Sequence, residues 1–270
     1  MGWAKPNEAY AALRSTSVEY ADELINNGTI VFNCAKSWVQ MERKNGKGQG
    51  DLYEGVFAAC ELLDYELALS YKQRFYDVET EFDGKLVYFR RKSVMQMPAY
   101  CFFILKQNFF DCPEKDGNQK ITGHIPGIYF QDFAGGKTID EVMLLPEKKR
   151  PSIVLMNDID RFIGMIKKKL ISIGVNEKDI LVYAIDYKDK HTPFLYYGNS
   201  PRELFLKDIS FSHQSECRIV INTTDKLLID MLVGKPINIG PIKEFAQKCD
   251  TYLKEGAIVK MNVLVEAIEE

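Results

Sequence analysis

SFSHQSECRIVIN, residues 210–222, is the stretch from which the architecture is best worked out. Ile219, Val220 and Ile221 are β-branched, and the segment alternates as a strand does. On that reading Phe211, His213, Ser215, Cys217, Ile219 and Ile221 share one side. Ser212, Gln214, Glu216 and Arg218 share the other, so an amide, a carboxylate and a guanidinium project in a row. Such a row suits a substrate cleft. It equally suits the wet face of an antiparallel sheet.

The beginning of the chain carries the next clear pattern. An apolar run over 9–13 ends in Arg14, so an arginine is expected at a strand-to-helix junction. Thr16 and Glu19 stand at capping-box spacing, which predicts a helix start there. Val18, Ala21, Leu24 and Ile25 recur at helical spacing, and Asn27-Gly28 supplies a left-handed stop. A strand is expected over 29–32. The Gly- and Lys-rich stretch 44–50 leads into Asp51-Leu-Tyr-Glu54-Gly. It lacks a Gly-Lys-Ser/Thr ending and a strand running into it, so it reads as a surface loop and not a nucleotide P-loop.

Farther on, 58–71 reads as helix, and 86–89 and 99–105 as strands, with Pro98 fitting a first strand position. The nearly continuous apolar run 99–105 predicts a strand deep in a sheet. A loop is expected over 112–123, strands over 128–133 and 141–145, and a break over 146–151. An amphipathic helix over 158–173 ends in Lys167, Lys168 and Lys169, where positive charge suits the helix dipole. A strand over 181–187, a short helix over 200–206, helices over 224–233 and 241–253, and a strand over 258–266 complete the chain. Strands and helices alternate irregularly. The expectation is a single α+β domain over residues 1–270, with a mixed or largely antiparallel sheet and flanking helices.

With 270 residues, 46% of them hydrophobic, the chain can bury a large core. A net charge of -3 offers no bulk attraction to nucleic acid or to a membrane surface. The six cysteines, Cys34, Cys60, Cys101, Cys112, Cys217 and Cys249, show no metal-type pairing and sit partly within apolar runs. They read as reduced thiols of a cytoplasmic protein. The opening MGWAKPNEAY lacks a signal-peptide pattern, and no apolar run is long enough for a bilayer. The histidines, His124, His191 and His213, are far apart, so zinc or iron is not expected. A metal-dependent nuclease would need clustered carboxylates, for which Asp51 with Glu54, or Glu79 with Glu81, are the candidates. No Gly-x-Ser-x-Gly elbow supports a serine nucleophile.

The strand ending in Arg14, the helix stopped at Gly28, the following strand and the late Gln214-Ser-Glu216 together resemble the ADP-ribosyltransferase superfamily. The chain is also similar to uncharacterised bacterial proteins of toxin and phage-defence operons. Gly28 to Phe32, Asp51 to Gly55, Pro98 to Cys101 and Phe211 to Arg218 follow their motif order. The resemblance implies an ADP-ribosyltransferase-like fold that moves ADP-ribose from NAD to a macromolecular acceptor, RNA, DNA or protein. It implies Glu216 as the catalytic carboxylate, with Gln214 orienting the acceptor. Arg14 would grip NAD, with Ser15, Ser93, Tyr100 and Arg218 as further contacts. The Ser15-Thr16-Ser17 triplet beside Arg14 departs from the superfamily's usual order.

The chemistry implied is sensible. Cleaving a nicotinamide–ribose bond builds positive charge at the ribose, and a fixed carboxylate is most useful there in the transition state. Such an effector implies a neutralising antitoxin protein. Two alternatives stand beside it: a non-catalytic sensor or binding module on the same scaffold, with Glu216 and Arg218 as a structural pair, and the metal-dependent nuclease.

Overall fold

A computed structural model describes residues 9–45, 51–62, 64, 66, 70, 73, 77–106, 110–111, 119–126, 137–196, 200–249 and 256–263. Its centre is a six-stranded antiparallel sheet of β10 (Ile180–Ala184), β14 (Glu216–Ile221), β6 (Ala99–Lys106), β1 (Ala9–Ser17), β9 (Pro151–Met156) and β16 (Ala246–Cys249), in that order. A four-stranded antiparallel sheet runs β12 (Phe194–Leu195), β3 (Val56–Glu61), β5 (Leu86–Arg91) and β4 (Val78–Phe82). A three-stranded ribbon is formed by β17 (Gly256–Val263), β8 (Gln119–Pro126) and β7 (Phe110–Asp111). Two short pairs, β15 (Pro236–Asn238) with β2 (Thr29–Val31) and β11 (Asp186–Lys188) with β13 (Leu206–Asp208), complete the strands. The architecture is α+β with a largely antiparallel sheet. No described helix is long and apolar enough to cross a membrane.

Both faces of the central sheet are buried. On one, helix α4 (Ile159–Ser172) lays Ile159, Phe162, Ile163, Ile166 and Leu170 across Tyr100, Phe102, Val154, Cys217 and Ile219. The apolar spacing makes that stripe, and the Asp158 side chain starts the helix by accepting from the Arg161 N–H at 2.9 Å. Helix α1 (Val18–Asn27) adds Ala21 and Leu24 to the same core. On the other face Ala99 and Val220 pack against Ala35, Trp38 and Val39 of helix α2 (Ala35–Asn45), with Met95, Leu204 and Phe205.

Several segments differ from the sequence pattern, each for a local reason. The strand expected over 210–222 is only Glu216–Ile221; residues Ile209–Gln214 are a 3-10 helix. The Asp208 side chain accepts from both the backbone N–H and the hydroxyl of Ser210, which starts a turn that the alternating pattern conceals. Ser215, at φ 45°, then turns the chain into β14. At the N-terminus β1 continues through Arg14 to Ser17, because Arg14, Ser15 and Thr16 each find a ladder partner on β9. The Thr16–Glu19 capping box is therefore absent; Ser17 is the N-cap, without a side-chain bond. Arg14 sits inside a strand and not at its end.

The helix expected over 58–71 begins instead as β3, whose Val56, Phe57, Ala58, Ala59 and Cys60 are all buried. The strand expected over 141–145 is helix α3 (Ile139–Met143), opened by a capping box between Thr138 and Glu141. The helix expected over 241–253 is instead extended at β16, paired with β9. Residues 119–123, expected in a loop, belong to β8. The expected strand over 128–133 and the glycine-rich loop over 46–50 lie outside the described residues. Helix α5 (Lys226–Leu232) matches its expectation, while 200–206 is reduced to a 3-10 turn at Arg202–Phe205.

Candidate functional site

The Glu216 side of the sheet holds a buried network of charges. In antiparallel pairing, directly opposed residues project to one side. Glu216 opposes Phe103 and Arg218 opposes Cys101, so these four face the second core. Arg218 is 1% exposed. Its Nε donates to Glu216 Oε1 at 2.5 Å, and its Nη atoms form a fork onto Glu54 at 2.6 and 2.7 Å. Nη1 also donates to the Leu204 carbonyl at 2.7 Å, and the guanidinium stacks 4.7 Å from the Trp38 ring centre. Lys207 donates to Glu216 Oε2 at 3.0 Å and to Gln214 Oε1 at 2.7 Å, under the ring of Phe211. The Glu216 N–H donates to the Tyr187 hydroxyl at 2.8 Å.

Two carboxylates and two cations thus cancel in a dry interior. Burial alone would raise the Glu216 carboxyl pKa, but Arg218 and Lys207 together hold it far below the ordinary carboxylate range. Burial would lower the Lys207 amine, and Glu216 reverses that, keeping it above its usual value. Burial pushes the Cys101 thiol well up and the Cys217 thiol to about 12, so neither is a ready thiolate. The Asp51-x-x-Glu54-Gly motif is the other half of this network. Glu54 pairs with Arg218, while Asp51 accepts from the N–H groups of Tyr53 and Asp208 at 2.8 and 3.2 Å. Sequence spacing could not join Glu54 to Arg218, and it missed Lys207 and Lys190 altogether. Lys190, fully buried, donates to the carbonyls of Tyr53 and Leu206. The signal for Lys207 was a lysine placed directly after the apolar run Leu204-Phe205-Leu206.

Arg14 faces the other way. On β1, Ala12, Arg14 and Thr16 alternate with Leu13 and Ser15, and Ala12 belongs to the core of Tyr100 and Phe102. The Arg14 guanidinium lies 4.9 Å from the centre of the Tyr100 ring, and Nη1 donates to the Cys101 carbonyl at 2.5 Å. That carbonyl is reachable because the sheet opens here. The β1–β6 pairing ends at Leu13 and Phe103, after which β1 follows β9 and β6 follows β14. The chain after β2 enters the gap, where Asn33 and Ala99 exchange backbone bonds of 2.9 and 2.7 Å.

Beside this opening lies a cavity of about 610 Å³, walled by Arg14, Thr16 and Tyr20, by Glu23, and by Thr29 and Tyr100 among others. Arg14 is half-buried and has no carboxylate partner among the described residues. The structure therefore brings Arg14 and Tyr100 together and separates them from Glu216, Gln214 and Arg218, which lie across the sheet. Ser15 faces the Glu216 side by strand parity and is buried. Ser93 donates its hydroxyl and its N–H to Asp77, away from either group.

Compared with known proteins, the chain matches no family model, no curated protein and no solved structure.

Proposed function

We propose that this protein is a small-molecule-binding module on an ADP-ribosyltransferase-like scaffold, its ligand an anionic compound of the NAD class gripped by Arg14. The observation that carries the reading is a guanidinium without a carboxylate partner among the described residues, on the wall of a cavity of about 610 Å³. Sites for small molecules span roughly 300–1,000 Å³ and combine apolar walls with a few polar groups. Leu24, Ile30, Val31 and Pro236 supply the walls, and Arg14 offers the planar fork that phosphate or carboxylate accepts from. The stack on Tyr100 and the bond to Cys101 hold the fork in place.

One arrangement supports kinship with the transferases. The strands bearing Arg14, Tyr100 and Glu216 are neighbours in the order β1-β6-β14, and the sheet parts between the first two. Transfer chemistry at Glu216 has less support. Both oxygens of that carboxylate are taken by Arg218 and Lys207, and its face is the one turned from Arg14. Binding without transfer is therefore the stronger reading. The macromolecular acceptor and neutralising antitoxin belong to the transferase alternative. The nuclease alternative would need Glu54, whose oxygens are held by Arg218.

Thermal melting with NAD tests the reading. Ligand at 100 times its Kd adds about 2.7 kcal/mol, a rise of roughly 5–10 °C for a chain of this size. The rise is expected in the wild type and absent in Arg14→Gln. No shift with NAD, ADP-ribose or AMP would sink the binding module. Transfer of labelled ADP-ribose to an acceptor, lost in a folded Glu216→Gln variant, would restore the transferase.

A further inference from the structure

The cavity that receives Arg14 has a second charged wall. Glu23 stands on α1 next to Leu24 and one helical turn beyond Tyr20, and all three line the cavity. Its Oε2 accepts from Asn27 Nδ2 at 2.8 Å and from the Thr29 hydroxyl at 3.4 Å. Both donors fall on the same oxygen, so they orient the carboxylate while Oε1 keeps its accepting capacity. Among the described residues no lysine or arginine pairs with Glu23. A carboxylate without a cation and a guanidinium without a carboxylate thus share one cavity and do not pair with each other.

An occupant that satisfies both must carry an anionic group for Arg14 and hydrogen-bond donors for Glu23. A carboxylate accepts from two adjacent hydroxyls at once, which is how acidic side chains hold a ribose diol in nucleotide sites. Leu24, Ile30, Val31 and Pro236, with the rings of Tyr20 and Tyr100, give the remaining volume an apolar, aromatic lining that suits a planar base. Inorganic phosphate would leave both Glu23 and that lining unused.

Resting on the reading of this cavity as the ligand site, we infer that Glu23 is a specificity-determining residue that accepts from vicinal ribose hydroxyls, so that phosphorylated nucleosides bind here in preference to bare anions.

The test is a calorimetric titration of the full chain with ADP and with 2′,3′-dideoxy-ADP, in the wild type and in Glu23→Ala. Position 23 is an exposed helix site, and alanine there keeps the helix. The wild type is expected to prefer ADP at least about tenfold, since the dideoxy analogue lacks both hydroxyls and one hydrogen bond to a charged, partly solvated acceptor already accounts for that factor. Glu23→Ala is expected to bring the ratio near one, through a loss of affinity for ADP larger than any change for the dideoxy nucleotide. A structural role alone would lower both affinities together. Equal wild-type affinities, or a ratio untouched by the substitution, would overturn the role of Glu23 while leaving the cavity as a ligand site. If neither nucleotide binds the wild type and NAD gives no thermal shift, the reading of the cavity fails and this assignment with it.

Discussion

Replacing Arg218 by methionine removes the cation that holds the second core together electrically. The substitution nearly conserves volume and can keep the contact with Trp38, so lost packing is a small part of its effect. What it leaves behind decides the outcome. Glu54 loses both of its fork bonds and Glu216 loses its bond at 2.5 Å, while the Leu204 carbonyl loses a donor. Lys207 remains bonded to Glu216, so Glu54 is the carboxylate that loses its directly bonded cation, with Lys190 and Lys207 acting on it only at longer range. Breaking a buried pair by deleting one partner costs about 3–5 kcal/mol. For a chain of this size that is a fall of roughly 10 °C in Tm.

The assay is urea unfolding followed by circular dichroism, with the midpoint and slope read for Arg218→Met, for Glu54→Gln and for the double variant. Arg218→Met alone is expected to lose most. The double variant is expected to recover about half or more of that loss, because glutamine is neutral and no buried charge is left unpaired. A single variant within about 1 kcal/mol of wild type, or a double variant whose losses simply add, would refute the idea that the fork is the keystone of this core.

Two further outcomes follow from the same geometry. Gly28→Ala is expected to cost about 2–5 kcal/mol in the same unfolding assay. A Cβ there meets the Gly240 carbonyl oxygen at 1.8 Å, and φ is +66°. Acid is expected to destabilise the protein through Glu216. Its folded-state pKa is depressed, so its contribution is complete above the unfolded value and is lost as pH falls below it, from roughly pH 5 downward. Urea midpoints measured between pH 7 and pH 3 check this, and Glu216→Gln should flatten the fall.

Much of the scaffold can be read locally. The β-branched Ile219-Val220-Ile221, the apolar run after Pro98, and the stripe from Ile159 to Leu170 specify β14, β6 and α4, because each buried pattern matches one backbone period. The Asn27-Gly28 stop is equally legible, since only a residue free to adopt positive φ ends the helix there. Glu216 and Arg218 share a face for the same reason: two residues apart on a strand is a local fact.

Which way that face points is a different kind of fact. Leu13 and Glu216 both oppose Phe103, so Arg14, the next residue of β1, falls on the other side of the sheet. A shift of one residue in either pairing would have put cation and carboxylate on one side. Register is fixed by the whole buried surface, Ala12, Tyr100, Ile219 and Phe162 meeting on one face and Ala99, Val220 and Trp38 on the other. No segment carries that information alone. The same holds for Glu54 with Arg218, and for β16, whose helical pattern yields to a free edge on β9. Sequence sets what each segment can be, through interactions a few residues long. Tertiary packing sets which side chains meet, because the free energy of burial belongs to contacts between segments distant in the chain.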